Sequence, residues 1–110
     1  MEFKSNIDES MLKDKNEFNR KDWLKVIILL KIANINNKLQ RQKKYRKNHE
    51  KIIEICNKYP YNEKMLFYKI QSLRNLNKSY KSLECIEDLL KINPHNRPAL
   101  FIIANIYEGE

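Results

Sequence analysis

Lys64, Tyr68, Gln71 and Arg74 stand three and four residues apart, with Phe67 beside them, so a helical segment would set them along one stripe. Two cations and an amide next to aromatic rings suit one task in particular. They can hold the carboxylates of an extended peptide through charge-assisted hydrogen bonds of about 1.5–3 kcal/mol each. The competing reading is a solvated face whose aromatics, Phe67 above all, turn into the core. Other residue types with reactive potential are scattered. His49 and His95 are isolated, and His49 with Cys56, seven apart on one helical face, supplies two ligands where zinc takes four. Ser82 has no base in view. No catalytic residue, metal ligand set or cofactor is expected, and the chain is read as a non-enzyme. The single Gly also argues against phosphate-cradling loops and nucleotide-binding fingerprints, which need glycine for their backbone geometry.

Charge is unevenly placed. The formal net charge is +8, and the run Lys38–Lys51 carries seven basic residues and one acidic, so most of the excess sits there. That run reads first as a solvated turn and helix start, second as a docking site for an acidic protein segment, and last as a phosphate contact for RNA. RNA binding of this kind would be electrostatic and steeply salt-dependent, with Tyr45 a thin stacking platform. Cys56 and Cys85 lie within apolar helical patterns as small hydrophobes, without the spacing of a redox pair. The first twenty residues hold no signal-peptide core. The apolar run Trp23–Ile35, broken by Lys25, Lys31 and Asn34, is too short to span a bilayer. A cytoplasmic, soluble protein with reduced thiols is expected.

At 110 residues the chain suggests one domain. Residues 1–21 read as a flexible polar tail and 22–110 as a helical unit. Asp22 is placed to cap a first helix through Val26, Ile27, Leu30 and Leu39. This helix is apolar over most of its circumference and should be sandwiched between neighbours. A second helix carries Ile52, Ile53, Ile55 and Cys56 and stops at Tyr59-Pro60, since the residue before proline is driven out of the α region. A third uses Leu66, Ile70, Leu73 and Leu76. A fourth uses Leu83, Ile86, Leu89 and Leu90 and ends at Asn93-Pro94. A fifth starts near Pro98, which a first helical turn tolerates. The predicted class is all-α.

The pieces repeat. Pro60 and Pro94 are 34 residues apart, as are Asn62 and Asn96, Ile52 and Ile86, and Ile55 and Leu89. Ile32, Leu66 and Leu100 fall in step at the same interval. A shared period of paired antiparallel helices points to a solenoid of helical hairpins, here 22–62 and 63–96 with a final helix 97–110. The stretch Tyr80–Tyr107, with Ser82 at a tight-packing position, the Asn93-Pro94 turn, and Ala99, Leu100, Ile103, Ala104 and Tyr107, resembles the tetratricopeptide repeat (TPR) family. Lys44-Tyr45 through Asn62 is similar to an earlier copy. It departs at Asn48, where the family favours a small apolar residue, and Tyr80 lies 35 residues from Tyr45, suggesting one extra residue in the later turn.

That resemblance implies a TPR-like α-solenoid whose first helices line a concave groove, bordered by Asn34, Asn37, Arg41, Lys64, Phe67, Tyr68, Gln71, Arg74 and Phe101. It implies a protein–protein adaptor that takes a partner peptide or acidic segment. Tyr61–Lys69 and Leu30–Ile35 also resemble the TPR region of immunophilin-like co-chaperones, whose two-carboxylate clamp binds the acidic C-terminal tail of a heat-shock chaperone. Asn34 and Lys64 match clamp positions, whereas Tyr68 stands where the clamp arginine belongs, with Lys69 adjacent. A third reading is a structural subunit of a larger assembly, self-associating through a final helix that exposes Ile102, Ile103 or Ile106, unless the N-terminal tail folds back as a cap.

Overall fold

A computed structural model describes residues 19–108, and the expected tail falls almost wholly outside that range. The described residues form five helices and no strand: α1 (Arg20–Lys38), α2 (Gln42–Cys56), α3 (Glu63–Asn75), α4 (Ser79–Ile92) and α5 (Arg97–Glu108). The described residues are all-helical, as predicted. Each helix packs chiefly against its chain neighbours, and the body is a slab of 51 × 36 × 18 Å.

Two cores fill it, with α3 as their common wall. Val26 of α1, Ile52, Ile55 and Cys56 of α2, and Met65 of α3 make the first. Leu66, Ile70 and Leu73 of α3 meet Cys85, Ile86 and Leu89 of α4 and Ala99 and Ile102 of α5 in the second. Apolar residues at helical spacing on two sides of α3 allow it to serve both. Polar pairs cross the helix contacts as well. Asn36 Nδ2 of α1 donates to Asn48 Oδ1 of α2 at 2.7 Å, which accounts for a polar residue at Asn48. His49 Nδ1 of α2 lies 3.0 Å from Ser72 Oγ of α3, and both side chains are buried.

The helix ends repeat in detail. After α1 the chain turns through Leu39, Gln40 and Arg41, with Gln40 N–H donating to Asn37 C=O and Arg41 N–H to Asn36 C=O. After α3 it turns through Leu76, Asn77 and Lys78, with Asn77 N–H donating to Arg74 C=O and Lys78 N–H to Leu73 C=O. Both are Schellman closures, and each needs a left-handed residue, Gln40 at φ 58° and Asn77 at φ 60°. Asn tolerates that region, whereas Gln is an unusual occupant. At the opposite ends, Asn62 and Asn96 cap α3 and α5 with their side-chain oxygens, accepting from Met65 N–H and Ala99 N–H.

Carboxylates in the first turns tie these ends together. Asp22, in the first turn of α1, accepts a 2.5 Å bond from Tyr59 Oη in the α2–α3 turn, with Lys58 Nζ 3.7 Å away. Burial, then the bond to Asp22, holds the Tyr59 phenol above its ordinary pKa. Glu63, in the first turn of α3, accepts from Asn93 Nδ2 and Asn96 Nδ2 in the α4–α5 turn, each at 3.0 Å. Tyr59 and Asn93 are themselves 34 residues apart.

Several expectations change. Asn19 caps α1, accepting from Lys21 N–H, and Asp22 is a buried acceptor inside the helix. The interval is not one number. It is 34 between the caps Asn62 and Asn96 but 37 between the left-handed turns at Gln40 and Asn77. The difference arises because α2 and its following loop are longer than α4 and its loop, so the expected single extra residue in the later turn is not what separates the copies. Leu66 and Leu100 each lie four residues after their capping Asn, yet Leu66 is 3% exposed and Leu100 44%. Ile32 is 40% exposed, so positions in step along the sequence are not buried alike. On α5, Ile102 is buried and Ile103 and Ile106 are half-covered by the second core, while Leu100, Phe101 and Tyr107 are exposed. Helix α1 is covered on one side and keeps an apolar face open on another.

Desolvation lowers the His49 pKa from its ordinary 6.5. The unfolded chain therefore binds a proton near that pH that the folded chain resists, and stability is lost as pH falls through 6.5. Urea midpoints should drop between about pH 7.5 and about pH 5.5, and His49→Gln should flatten that drop. Glu63→Ala should destabilise by about 2 kcal/mol, because it strands two amide donors of a charge-assisted pair. A double-mutant cycle with Asn93→Ala should show clear coupling.

Candidate functional site

The α3 stripe expected from sequence lies partly exposed on the structure. Lys64 is exposed and its Nζ sits 5.3 Å from the centre of the Trp23 ring on α1, a cation–π distance. Tyr68 is half-buried and packs on the first core beside Trp23, while Phe67 is half-buried against the second. The two rings meet edge to face at 6.2 Å. Phe67 thus serves both readings, packing inward and leaving part of its ring at the surface.

A depression of about 380 Å³ opens here, lined by Glu63, Lys64, Phe67 and Tyr68 of α3 together with Asn96 and Pro98 at the start of α5. The Glu63 carboxylate on its wall is occupied by Asn93 and Asn96, which leaves the depression a cationic and aromatic rim around a satisfied acid. Helix α1 contributes Trp23, whose Nε1–H is buried with no hydrogen-bond partner among the described residues. An unpaired buried donor costs about 1–3 kcal/mol, so Trp23 is held by packing and by Lys64 rather than by its own polarity.

Gln71 and Arg74 continue the stripe, both half-buried, with Arg74 about 15 Å along α3 from Lys64. Asn34 and Asn37 are exposed toward the far end of α1, Asn34 about 16 Å along the helix from Trp23. Arg41 stands in the left-handed turn after α1 as an exposed side chain, not on the helix. Phe101 is exposed on α5. The structure therefore gathers Lys64, Phe67 and Tyr68 into one cluster and sets Asn34, Asn37 and Arg41 farther away. The sequence reading did not include Trp23, Asn96 or Pro98. The repeated Asn62/Asn96 caps were the signal that the starts of α3 and α5 are built alike, and Glu63 next to Asn62 was the clue to the contact between them.

The basic run is spread over the end of α1, the turn and α2. All seven of its Lys and Arg side chains are exposed, and Lys51 forms a 3.9 Å surface pair with Glu54. Tyr45 lies edge-on to the His49 ring at 4.7 Å, so part of it is committed to packing. A second depression, about 400 Å³, has Leu73 and Cys85 at its base and mixes Lys69, Lys78 and Lys81 with Glu50 and Glu84. Burial raises the Cys85 thiol pKa and pushes that of Cys56 up to about 12, so both stay protonated. The His49 ring is engaged by Ser72 rather than by Cys56. No described helix is long and apolar enough to cross a membrane. Compared with known protein families, curated proteins and solved structures, the chain finds no match.

Proposed function

We propose that the chain is a protein–protein adaptor of TPR-like build, in which α1–α2 and α3–α4 act as successive hairpins and α1, α3 and α5 present one side to an extended peptide. The observation that carries this reading is the cluster of Lys64, Trp23, Tyr68 and Phe67 beside the depression at the start of α5. It combines a cation with aromatic rings contributed by two helices that are not chain neighbours. The duplicated Schellman turns and the duplicated first-turn carboxylate contacts support the hairpin repeat.

The partner suited to this surface is a peptide with carboxylates at both ends of a short extended stretch. One end meets Lys64 and Tyr68, and the other meets Arg74, Gln71, Asn34, Asn37 and Arg41. An extended chain rises about 3.3 Å per residue, so five residues cover the 15 Å or so between the two groups. An acidic chaperone tail is one peptide of this chemistry. Asn34 and Lys64 would hold its carboxylates, with Arg74 supplying the second cation that Tyr68 does not.

Trp23 is the single Trp of the chain and lies beside Lys64, which makes its fluorescence a direct reporter. Titration with a peptide ending in Asp and carrying further acidic residues should shift Trp23 emission saturably. Lys64→Ala should weaken binding about tenfold, the equivalent of one charge-assisted hydrogen bond of about 1.4 kcal/mol. Arg74→Ala should add a further loss. An unchanged titration in the double variant would overturn the reading.

A further inference from the structure

Helix α1 carries an apolar stripe that nothing covers among the described residues. Leu24, Ile28, Ile32, Ile35 and Leu39 are each 40 to 56% exposed. At about 100° per residue they fall within an arc of about 80°, and the stripe runs for about 22 Å. The internal repeat identifies this face. Aligned on the left-handed turns at Gln40 and Asn77, Ile28, Ile35 and Leu39 stand where α3 has Met65, Ser72 and Leu76, all buried. Met65 lies in the first core and Ser72 meets His49, so this side of α3 packs on the hairpin before it. The same alignment sets Ala33 and Asn36 on Ile70 and Leu73, the side that each helix turns toward its own hairpin partner. The α1 stripe is a hairpin-stacking face left open.

Helix α5 shows the converse. Aligned on the caps Asn62 and Asn96, Leu100, Ala104 and Tyr107 stand where α3 has Leu66, Ile70 and Leu73. On α3 those residues meet Cys85, Ile86 and Leu89 of α4, whereas all three on α5 are exposed. Ala99 and Ile106 match Met65 and Ser72, and they turn toward the second core. The first and last helices of the series thus expose the two faces that α3 has covered, one by α2 and the other by α4.

We propose that copies of this chain associate head to tail, with the α1 stripe of one copy lying antiparallel on the Leu100, Ala104 and Tyr107 face of the next. On α5 the incoming α1 takes the place that α4 has on α3. On α1, the incoming α5 takes the place that α2 has on α3. Charge favours this pairing over two α1 stripes. Arg20–Lys38 holds five basic residues and one acidic, whereas residues 79–108 hold three basic and four acidic. The unlike ends attract, and two copies of α1 repel. Size fits as well, since the 12 residues of α5 span about 18 Å of the 22 Å stripe. With the stems of Lys25 and Lys31 beside the stripe, the contact buries on the order of 1,000 Å², the low end for a specific interface. Association is therefore weak and reversible. The contact is heterologous, so a pair of copies still exposes one stripe and one α5 face, and further copies add.

The test is sedimentation of the full chain between about 10 μM and about 1 mM, with variants at exposed positions. The wild-type mass should rise with concentration and pass that of a dimer. Ile28→Lys and Leu100→Lys should each stay monomeric alone. Mixed in equal amounts they should form a dimer and go no further, because each supplies the face that the other lacks. Ile35→Lys with Tyr107→Lys is a second such pair, and unchanged urea midpoints identify the variants that fold normally. A wild-type chain that is monomeric throughout would overturn the proposal. A dimer lost with Ile28→Lys but kept with Leu100→Lys would overturn it in favour of two α1 stripes, and the reverse pattern in favour of two α5 faces. Absence of a dimer in both mixtures would also sink it. The inference rests on the hairpin repeat and not on peptide binding, which this measurement does not read.

Discussion

The arrangement of α1, α3 and α5 depends on carboxylates placed in a first helical turn and held by the turn that opens the next odd-numbered helix. Asp22 receives Tyr59, and Glu63 receives Asn93 and Asn96. A carboxylate near a helix N-terminus is already favoured by the helix dipole, so these acids stabilise their own helix while they fix its distance from the next. The contacts are directional, unlike the apolar packing between the same elements. Hydrophobic burial brings α3 and α5 together, and the paired amides on Glu63 decide how their first turns align. The depression beside Lys64 and Pro98 exists because that alignment leaves a gap between them.

A second set of polar contacts acts within the cores. Asn36 with Asn48 spans α1 and α2, and His49 with Ser72 spans α2 and α3. Asn36, His49 and Ser72 are buried and Asn48 half-buried, so sliding one helix along another would leave buried polar atoms unpaired. Such a slip costs more than the pairs themselves contribute. The polar pairs therefore select the register, while Ile52, Met65, Ile70 and Ile86 supply the burial.

Much of this was legible in the sequence, and the rest was not for identifiable reasons. Helix identity and the breaks at Pro60 and Pro94 follow from local sterics, and α2 and α4 end before those prolines as expected. Asn62 and Asn96 stood out by their 34-residue spacing, but that they cap α3 and α5 emerges only from the structure. Asp22 misled because an acid before an apolar run is a normal cap, whereas Asn19 lay three residues earlier and Tyr59 was far away in sequence. The interval of 34 hid the 37-residue spacing of the turns, since helix ends closed by Gln40 and Asn77 lack the glycine that would have marked them. In the candidate site, Lys64, Phe67 and Tyr68 could be grouped because they share one helix. Trp23 could not, because its place over α3 depends on how two separate helices cross.

The contact pattern also bears on how the molecule assembles and gives way. Every strong helix contact joins elements adjacent along the chain, so little loop-closure entropy is spent before native contacts form, and folding belongs in the fast, locally driven regime. The final contact, α4 with α5, is the thinnest of the series. Pulled from its ends, such a body peels from the C-terminal helix inward rather than yielding all at once.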